Sequence, residues 1–126
     1  MVFDYERSKE RRTLTSQELG DYYWKTFSPV INILLIGLKS DLRAQDIPAL
    51  AMTQGELYTI RDLPTDWKRG TINIPGEVLS SSGLTSNSSF VELANSRNLQ
   101  DWFGDIAAKS KHELLVLQVH VKYPFL

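Results

Sequence analysis

The amino-acid sequence predicts an α+β domain in which a small, mostly antiparallel sheet is packed on one face by two to three helices. Two segments place apolar residues at helical spacing, and one of them begins at a capping motif. Short apolar runs between glycine and proline turns indicate strands. Because strands and helices do not alternate regularly, a parallel βαβ sheet is not expected. With 126 residues, the chain can bury the core of one domain without disulfides.

The first twelve residues are predicted to form a loosely ordered N-terminal arm. They mix aromatic residues with charges, the basic ones in excess, and chain termini are often loose. Residues 13–126 then form the single α+β domain.

The first predicted helix covers residues 15–27. Thr15 and Glu18 have the spacing of a capping box, in which each side chain bonds the other residue's backbone amide. Apolar and aromatic residues follow on one helical face. The helix is expected to end at Ser28, because a residue that precedes proline is disfavoured in the helical region.

The densest apolar segment runs from Ser28 to Leu42 and admits two interpretations. Serine before proline is typical of a helix start, and leucine and isoleucine then recur at helical spacing into a polar stretch. This favours a helix over 29–44. The alternative is a buried strand over Val30–Ile36, since four residues of that run are β-branched.

The middle of the chain is predicted to form strands. Residues 49–60 contain two apolar runs around a short connection with glycine, which indicates a β-hairpin. Residues 61–70 are predicted to form a polar connection that carries Trp67. Residues 71–74 alternate polar and apolar side chains and precede a proline–glycine turn, which predicts a short strand.

The C-terminal third begins with a loop over 80–89, which is rich in serine, glycine and asparagine. A second serine–glutamate capping box predicts a short helix over 89–95. Apolar residues at helical spacing predict a helix over 97–109. Residues 115–123 alternate in a way that predicts a strand with one buried face.

The predicted core combines the apolar faces of these elements. Its members are Leu19, Tyr23, Ile31, Leu34, Leu35, Leu38, Leu57, Ile72, Leu99, Phe103, Ile106, Leu117, Val119 and Val121.

Composition excludes several classes of function. The formal net charge is −1, from 14 basic and 15 acidic residues, so no global field attracts nucleic acid or an anionic membrane. The absence of cysteine excludes disulfides and thiol nucleophiles, and is compatible with the reducing cytoplasm, where we expect the protein. No apolar run reaches the ~20 residues of a membrane span, and no secretory signal is visible.

One short motif resembles a known family. Residues 36–42 are similar to the guanine-specificity segment of small GTPases, in which an apolar strand leads to Asn-Lys-x-Asp. Lys39 and Asp41 match, but Leu38 replaces the asparagine, and the chain has no phosphate-binding G-x-x-x-x-G-K-[ST] loop. The sequence therefore predicts no nucleotide site of this type.

Candidate catalytic and metal-binding residues are few. His112 and His120 are too few for a zinc site, which takes three or four converging ligands. Asp101 and Asp105 are one helical turn apart and would serve acid–base chemistry only in an apolar cleft; a solvated face is the preferred interpretation. The sequence thus predicts no catalytic residue, metal site or cofactor.

Trp24 lies off the predicted apolar face of its helix, and Trp67 lies between charges in a polar connection. One interpretation is that both tryptophans fold back over the core. The other is a partner surface that also includes Tyr22, because exposed tryptophan is enriched at binding hot spots. The predicted partner-binding residues are Tyr22, Trp24, Trp67, Lys68 and Arg69.

The leading hypothesis is a non-enzymatic protein-interaction or assembly module, an adaptor or small subunit that binds another protein or a second copy of itself. The alternative is a small-ligand-binding domain or an enzyme with an unrecognised site. A weaker alternative is nucleic-acid binding through Trp67 and its two basic neighbours, which the slightly acidic net charge argues against.

Overall fold

The regular secondary structure is helical throughout the part of the chain that the structure describes. The computed structural model describes residues 2–122, with side chains described as far as residue 118. The predicted α+β fold is therefore wrong, since residues 2–122 contain no strand. The elements are α1 (Val2–Glu10), α2 (Ser16–Gly37), a 3₁₀ turn (Ala44–Asp46), α3 (Ala49–Arg69), α4 (Gly76–Ser81), α5 (Phe90–Asn95) and α6 (Arg97–Lys122).

Helix α2 begins as predicted and continues further than expected. The capping box of Thr15 and Glu18 is confirmed. The predicted end at Ser28 is wrong, because α2 passes through Pro29 and ends at Gly37. Pro29 is exposed, while Ile31 is buried one turn from the half-buried Phe27. Packing on both sides of the proline thus outweighs a bias that is strong but not absolute.

The dense apolar segment is helical rather than a strand, although its helix ends before the predicted residue 44. The chain leaves α2 through a turn in which Lys39 has a positive φ of 57° and the amide of Ser40 donates to the carbonyl of Leu35 at 2.9 Å. The side chain of Asn32 accepts from the amide of Ala44 at 2.7 Å, which fixes the 3₁₀ turn against α2.

Helix α3 replaces the predicted hairpin and the predicted polar connection, and both predictions are wrong. Gly55 suggested a turn, but it lies within the helix, where a Cβ would approach Cγ of Tyr23 to 2.3 Å. The glycine thus makes room for an aromatic ring of α2 rather than for a turn. Helix α3 ends at Arg69 and is capped by Gly70, whose φ of 87° suits glycine; the helix packs between α2 and α6.

The predicted strand over 71–74 is also wrong, although its alternation is real. Ile72 and Ile74 are fully buried on either side of Asn73, in an extended segment without a partner strand. The carbonyl of Ile72 accepts from Nη1 of Arg7 at 3.0 Å. A guanidinium therefore satisfies a buried carbonyl that a neighbouring strand would otherwise bond.

Arg7 attaches α1 to the rest of the molecule. Its side chain is fully buried, and Nη2 donates to Oδ1 of Asn73 at 2.9 Å. The guanidinium lies 4.9 Å from the centre of the Tyr22 ring and 3.5 Å from a carboxylate oxygen of Asp4. The N-terminal residues, for which a loosely ordered arm was predicted, thus include a helix with a buried arginine.

The described part of the chain after Gly70 contains the three remaining helices, α4, α5 and α6. The short helix after Ser89 is confirmed with its capping box. The helix predicted over 97–109 is confirmed as part of α6, but α6 continues to Lys122, so the predicted strand from residue 115 is wrong as far as residue 122. Tyr123 lies outside the described residues. Ser110 and Glu113 occupy inward positions of α6 and interrupt its apolar periodicity, which concealed the helix.

The core is thick at one end of the molecule and thin at the other. At the thick end, Trp67, Ile72 and Leu99 belong to a cluster of six buried apolar residues. At the thin end, the buried apolar cluster consists of Ile31, Ala44 and Ala51, two of them alanines. Phe27, Leu35, Ile47 and Leu50 pack against this small cluster but are only partly buried.

The predicted core is confirmed in part. Leu19, Tyr23, Ile31, Ile72, Leu99 and Ile106 are buried, and Leu35, Leu57, Phe103 and Leu117 are half-buried. Leu34 and Leu38 are exposed, so these two predictions are wrong. Val119 and Val121 lie beyond the described side chains.

Candidate functional site

An apolar groove runs between the C-terminal half of α2 and the N-terminal half of α3. Each helix lines it at positions i, i+3, i+4 and i+7, so the groove is about two helical turns long. Its volume is about 400 Å³, well above the ~150 Å³ of a cavity that holds benzene. The lining residues carry no charge: Ile31, Leu34, Leu35 and Leu38 from α2, Leu50, Thr53, Gln54, Leu57 and Tyr58 from α3, and Leu114 from α6.

The outer side of α2 next to the apolar groove is apolar as well. Val30, Ile33 and Ile36, which we call the α2 ridge, expose 46%, 69% and 57% of their surface. Leu34, on the edge of the groove, is 59% exposed, and Leu38 is 77% exposed. Single exposed aliphatic residues are common on proteins, whereas large contiguous apolar patches are enriched at interaction sites.

One polar atom in the floor of the apolar groove lacks a partner. Thr53 is buried, and its Oγ1 has no hydrogen bond within the described part of the protein. An unpaired buried hydroxyl costs about 1–3 kcal/mol. An occupant of the groove that offers a donor or an acceptor would recover part of this free energy.

A second cavity, of about 350 Å³, lies where α2, α3 and α6 meet. Nζ of Lys109 lies 3.2 Å from Oε1 of Glu56, and Oε2 of Glu56 is buried without a hydrogen bond in the described structure. The ion pair thus engages one oxygen of the Glu56 carboxylate and leaves the other unpaired among the described residues.

A third cavity, of about 280 Å³, lies between α1, α2 and α3 and is lined by tyrosines and two aspartates. Burial, and next the negative charge of Asp62, raises the pKa of the Asp66 carboxyl. Burial and the carboxylate of Asp4 raise the pKa of the Tyr22 hydroxyl, which donates to Oδ2 of Asp4 at 3.1 Å. Arg7 lies 3.5 Å from Oδ1 of Asp4 and compensates one of the two aspartates.

The structure separates the predicted partner-binding residues. Trp67 is only 5% exposed, packs in the large core cluster, and donates from Nε1 to the carbonyl of Ser88 at 3.1 Å. Its ring also lies 5.0 Å from the guanidinium of Arg11. Lys68 and Arg69 are exposed at the end of α3, where positive charge complements the helix dipole. The ring that would stack on a base or a partner is therefore in the core, apart from its basic neighbours.

Tyr22 and Trp24 lie on α2, nearer its N-terminus than the apolar groove. Tyr22 is half-buried under Arg7, and Trp24 is exposed. Sequence reasoning thus selected aromatic residues for the partner surface, whereas the larger exposed apolar surface consists of aliphatic residues, of which Leu34 and Leu38 had been assigned to the core. The available signal was the absence of charge from residue 26 to residue 38.

The remaining candidates for chemistry are exposed or lie outside the described side chains. Asp101 and Asp105 are exposed, and Asp101 lies 3.5 Å from Arg97. His112 is exposed, and His120 is beyond the described side chains. Among the described residues, no three acidic or histidine side chains converge in a way that could hold a metal ion.

Comparisons with protein-family models, with curated proteins and with solved structures found no match. Within residues 2–122, no helix combines the length and the apolar character needed to cross a membrane. The apolar groove and the α2 ridge therefore provide the basis for a functional proposal.

Proposed function

We propose that this chain is a non-enzymatic protein-interaction or assembly module that receives an apolar helix of a protein partner in the apolar groove. The observation that carries the proposal is the uncharged lining of the groove by two helices at matching heptad-like positions. Such a groove accepts the apolar face of a third helix through residues at i, i+3, i+4 and i+7.

The thin core supports the same proposal. At the end of the molecule where Ala44 and Ala51 fill the core, α2 and α3 bury few large side chains between them. A helix seated in the groove would cover Leu34 and Leu38 and would complete the core there. Burial of apolar surface stabilises such a complex by about 25 cal/mol per Å² before the entropic cost of association.

Site-specific photo-cross-linking tests the proposal in the cells that make the protein. A photoreactive residue at position 34 samples the groove, and one at position 91 is the control, because Val91 is exposed on the distant helix α5. We expect discrete adducts from position 34, identified by mass as this chain or another protein, and none from position 91. If position 34 gave no adduct beyond those of position 91, the proposal would be wrong.

A second candidate function is the binding of a small apolar ligand. The groove volume of about 400 Å³ falls within the 300–1,000 Å³ typical of ligand pockets, and Thr53 offers one buried hydroxyl. Indole and naphthalene are suitable probes, and binding to the native state would raise the melting temperature with ligand concentration. Constant melting temperatures up to the solubility limit would argue against this candidate.

A further inference from the structure

The apolar groove and the α2 ridge both include residues of α2, and the concave groove is complementary to the convex ridge. Leu34 stands between them, at the edge of the groove and beside Val30 and Ile33. A surface that carries both a ridge and a neighbouring groove can pair with a second copy of itself across a two-fold axis, since each copy then fills the other's groove.

The area agrees with the requirement of a stable dimer. Eight exposed residues form the ridge, the groove rim and the turn after α2: Val30, Ile33, Leu34, Ile36, Leu38, Leu42, Tyr58 and Leu114. With roughly 200 Å² for each large side chain when fully exposed, they expose about 850 Å², and a standard protein interface buries ~800 Å² of each partner.

The distribution of charge also favours a second copy. No charged residue occurs between Lys25 and Lys39, and none lines the apolar groove. Two copies can therefore meet along this face without burying an unpaired charge. A formal net charge of −1 adds almost no repulsion between copies. Anionic membranes, by contrast, attract helices with a strongly basic face, and Asp41 and Asp46 accompany the basic residues at this end.

We propose that the chain forms an isologous homodimer in which the C-terminal halves of α2 pack antiparallel, with Leu34 close to the two-fold axis. Each α2 lies in the other copy's groove, so that the α2–α3 pairs of the two copies stack face to face. This inference rests on the proposed function, because it names the partner of the same groove.

Sedimentation equilibrium of the full chain tests the proposal with a matched pair of variants. Val30→Asp places a carboxylate in the dimer interface, one helical turn from Leu34 and the two-fold axis, whereas Val91→Asp makes the same change on exposed surface in the first turn of α5. We expect the dimer dissociation constant to rise at least about 100-fold for V30D and to stay within about twofold for V91D. Circular dichroism confirms that both variants remain folded.

A single cysteine gives an independent test, because the chain has none of its own. Leu34→Cys should form an intermolecular disulfide under mild oxidation, since residues beside a two-fold axis meet their own copies. Val91→Cys, the matched control, should remain monomeric on a non-reducing gel.

Failure of the dimer and failure of the proposed function have different signatures. If the chain stays monomeric at high concentration but cross-links to another protein from position 34, the dimer proposal is overturned and the proposed function as an interaction module is retained. A dimer that V30D does not weaken overturns the arrangement. Monomeric chain that cosediments with phosphatidylcholine vesicles, or that gives no adduct at position 34, overturns both.

Discussion

Replacement of Arg7 by methionine should remove a large part of the stability of this protein. The guanidinium is fully buried and donates to the carbonyl of Ile72 at 3.0 Å and to Asn73 at 2.9 Å. Hydrogen bonds from a charged donor contribute about 1.5–3 kcal/mol each. Methionine has a similar length but no donor, so the Arg7→Met variant leaves a fully buried carbonyl unpaired.

The expected loss in the free energy of unfolding is about 3 kcal/mol, because relief from burying the charge offsets part of the two hydrogen bonds. Small domains have a total of about 5–15 kcal/mol. Urea denaturation followed by tryptophan fluorescence measures the change. At a slope of about 1.5 kcal/mol per molar urea, the midpoint should fall by about 2 M.

Arg12→Met is the matched control for this prediction. Arg12 is exposed and lies 3.8 Å from a carboxylate oxygen of Glu18, so its loss should cost less than about 1 kcal/mol. If Arg7→Met also cost less than about 1 kcal/mol, the docking of α1 through a buried guanidinium would be refuted.

Three further predictions concern the contacts of α2, α3 and α6. Burial raises the pKa of Tyr23 to about 12. Because this folded pKa exceeds the unfolded value of about 10, the contribution of the neutral tyrosine to protein stability is complete below pH ~10. It is lost as the pH rises towards 12, at up to about 1.4 kcal/mol per pH unit. Denaturation series at increasing pH should show the full loss in the wild type and in Tyr5→Phe, an exposed control, and a smaller loss in Tyr23→Phe, which keeps only the contribution of Tyr22. An equal loss in all three would contradict the assignment. Gly55→Ala should destabilise the protein by about 1–3 kcal/mol in urea denaturation, since the new Cβ would meet the ring of Tyr23 at 2.3 Å. Gly104→Ala, with open space around its Cβ, should stabilise it by about 0.5–1 kcal/mol. The opposite order would refute the packing of α2 on α3. Thr53→Val removes a buried hydroxyl without a hydrogen bond and should raise the melting temperature of the monomer, and a fall would show that the hydroxyl is paired.

The sequence predicted those features that depend on a few adjacent residues. Thr15 with Glu18, and Ser89 with Glu92, form the two predicted capping boxes, because a capping box needs only four consecutive residues. The start of α2 and the whole of α5 follow from them. The loop that precedes α5 was recognisable for the same reason, since small polar residues favour turns locally.

The sheet was predicted wrongly because its signals have other causes in this chain. Gly55 suggested a hairpin, yet it accommodates Tyr23, which is 32 residues away in the sequence. In the alternating segment around Ile72, the guanidinium of Arg7 bonds the buried carbonyl that a neighbouring strand would otherwise bond. Ser110 hid the helical period of α6 because a buried polar residue breaks an apolar pattern. Each cause is a contact between residues far apart in the chain, which local spacing does not reveal.

The apolar run at the end of α2 shows most clearly that a dense apolar sequence does not place every one of its residues in the core. Its density predicted the centre of the core, and Ile31 is indeed buried there. One helix can turn only one side towards α3, however, and the apolar residues of this run extend around most of the helix, so Ile33 and Ile36 face outward. A helix that is apolar all round needs a covering on every side. The chain itself covers one side of α2. In the proposed complex, a second helix in the groove beside Leu34 covers the remaining apolar surface.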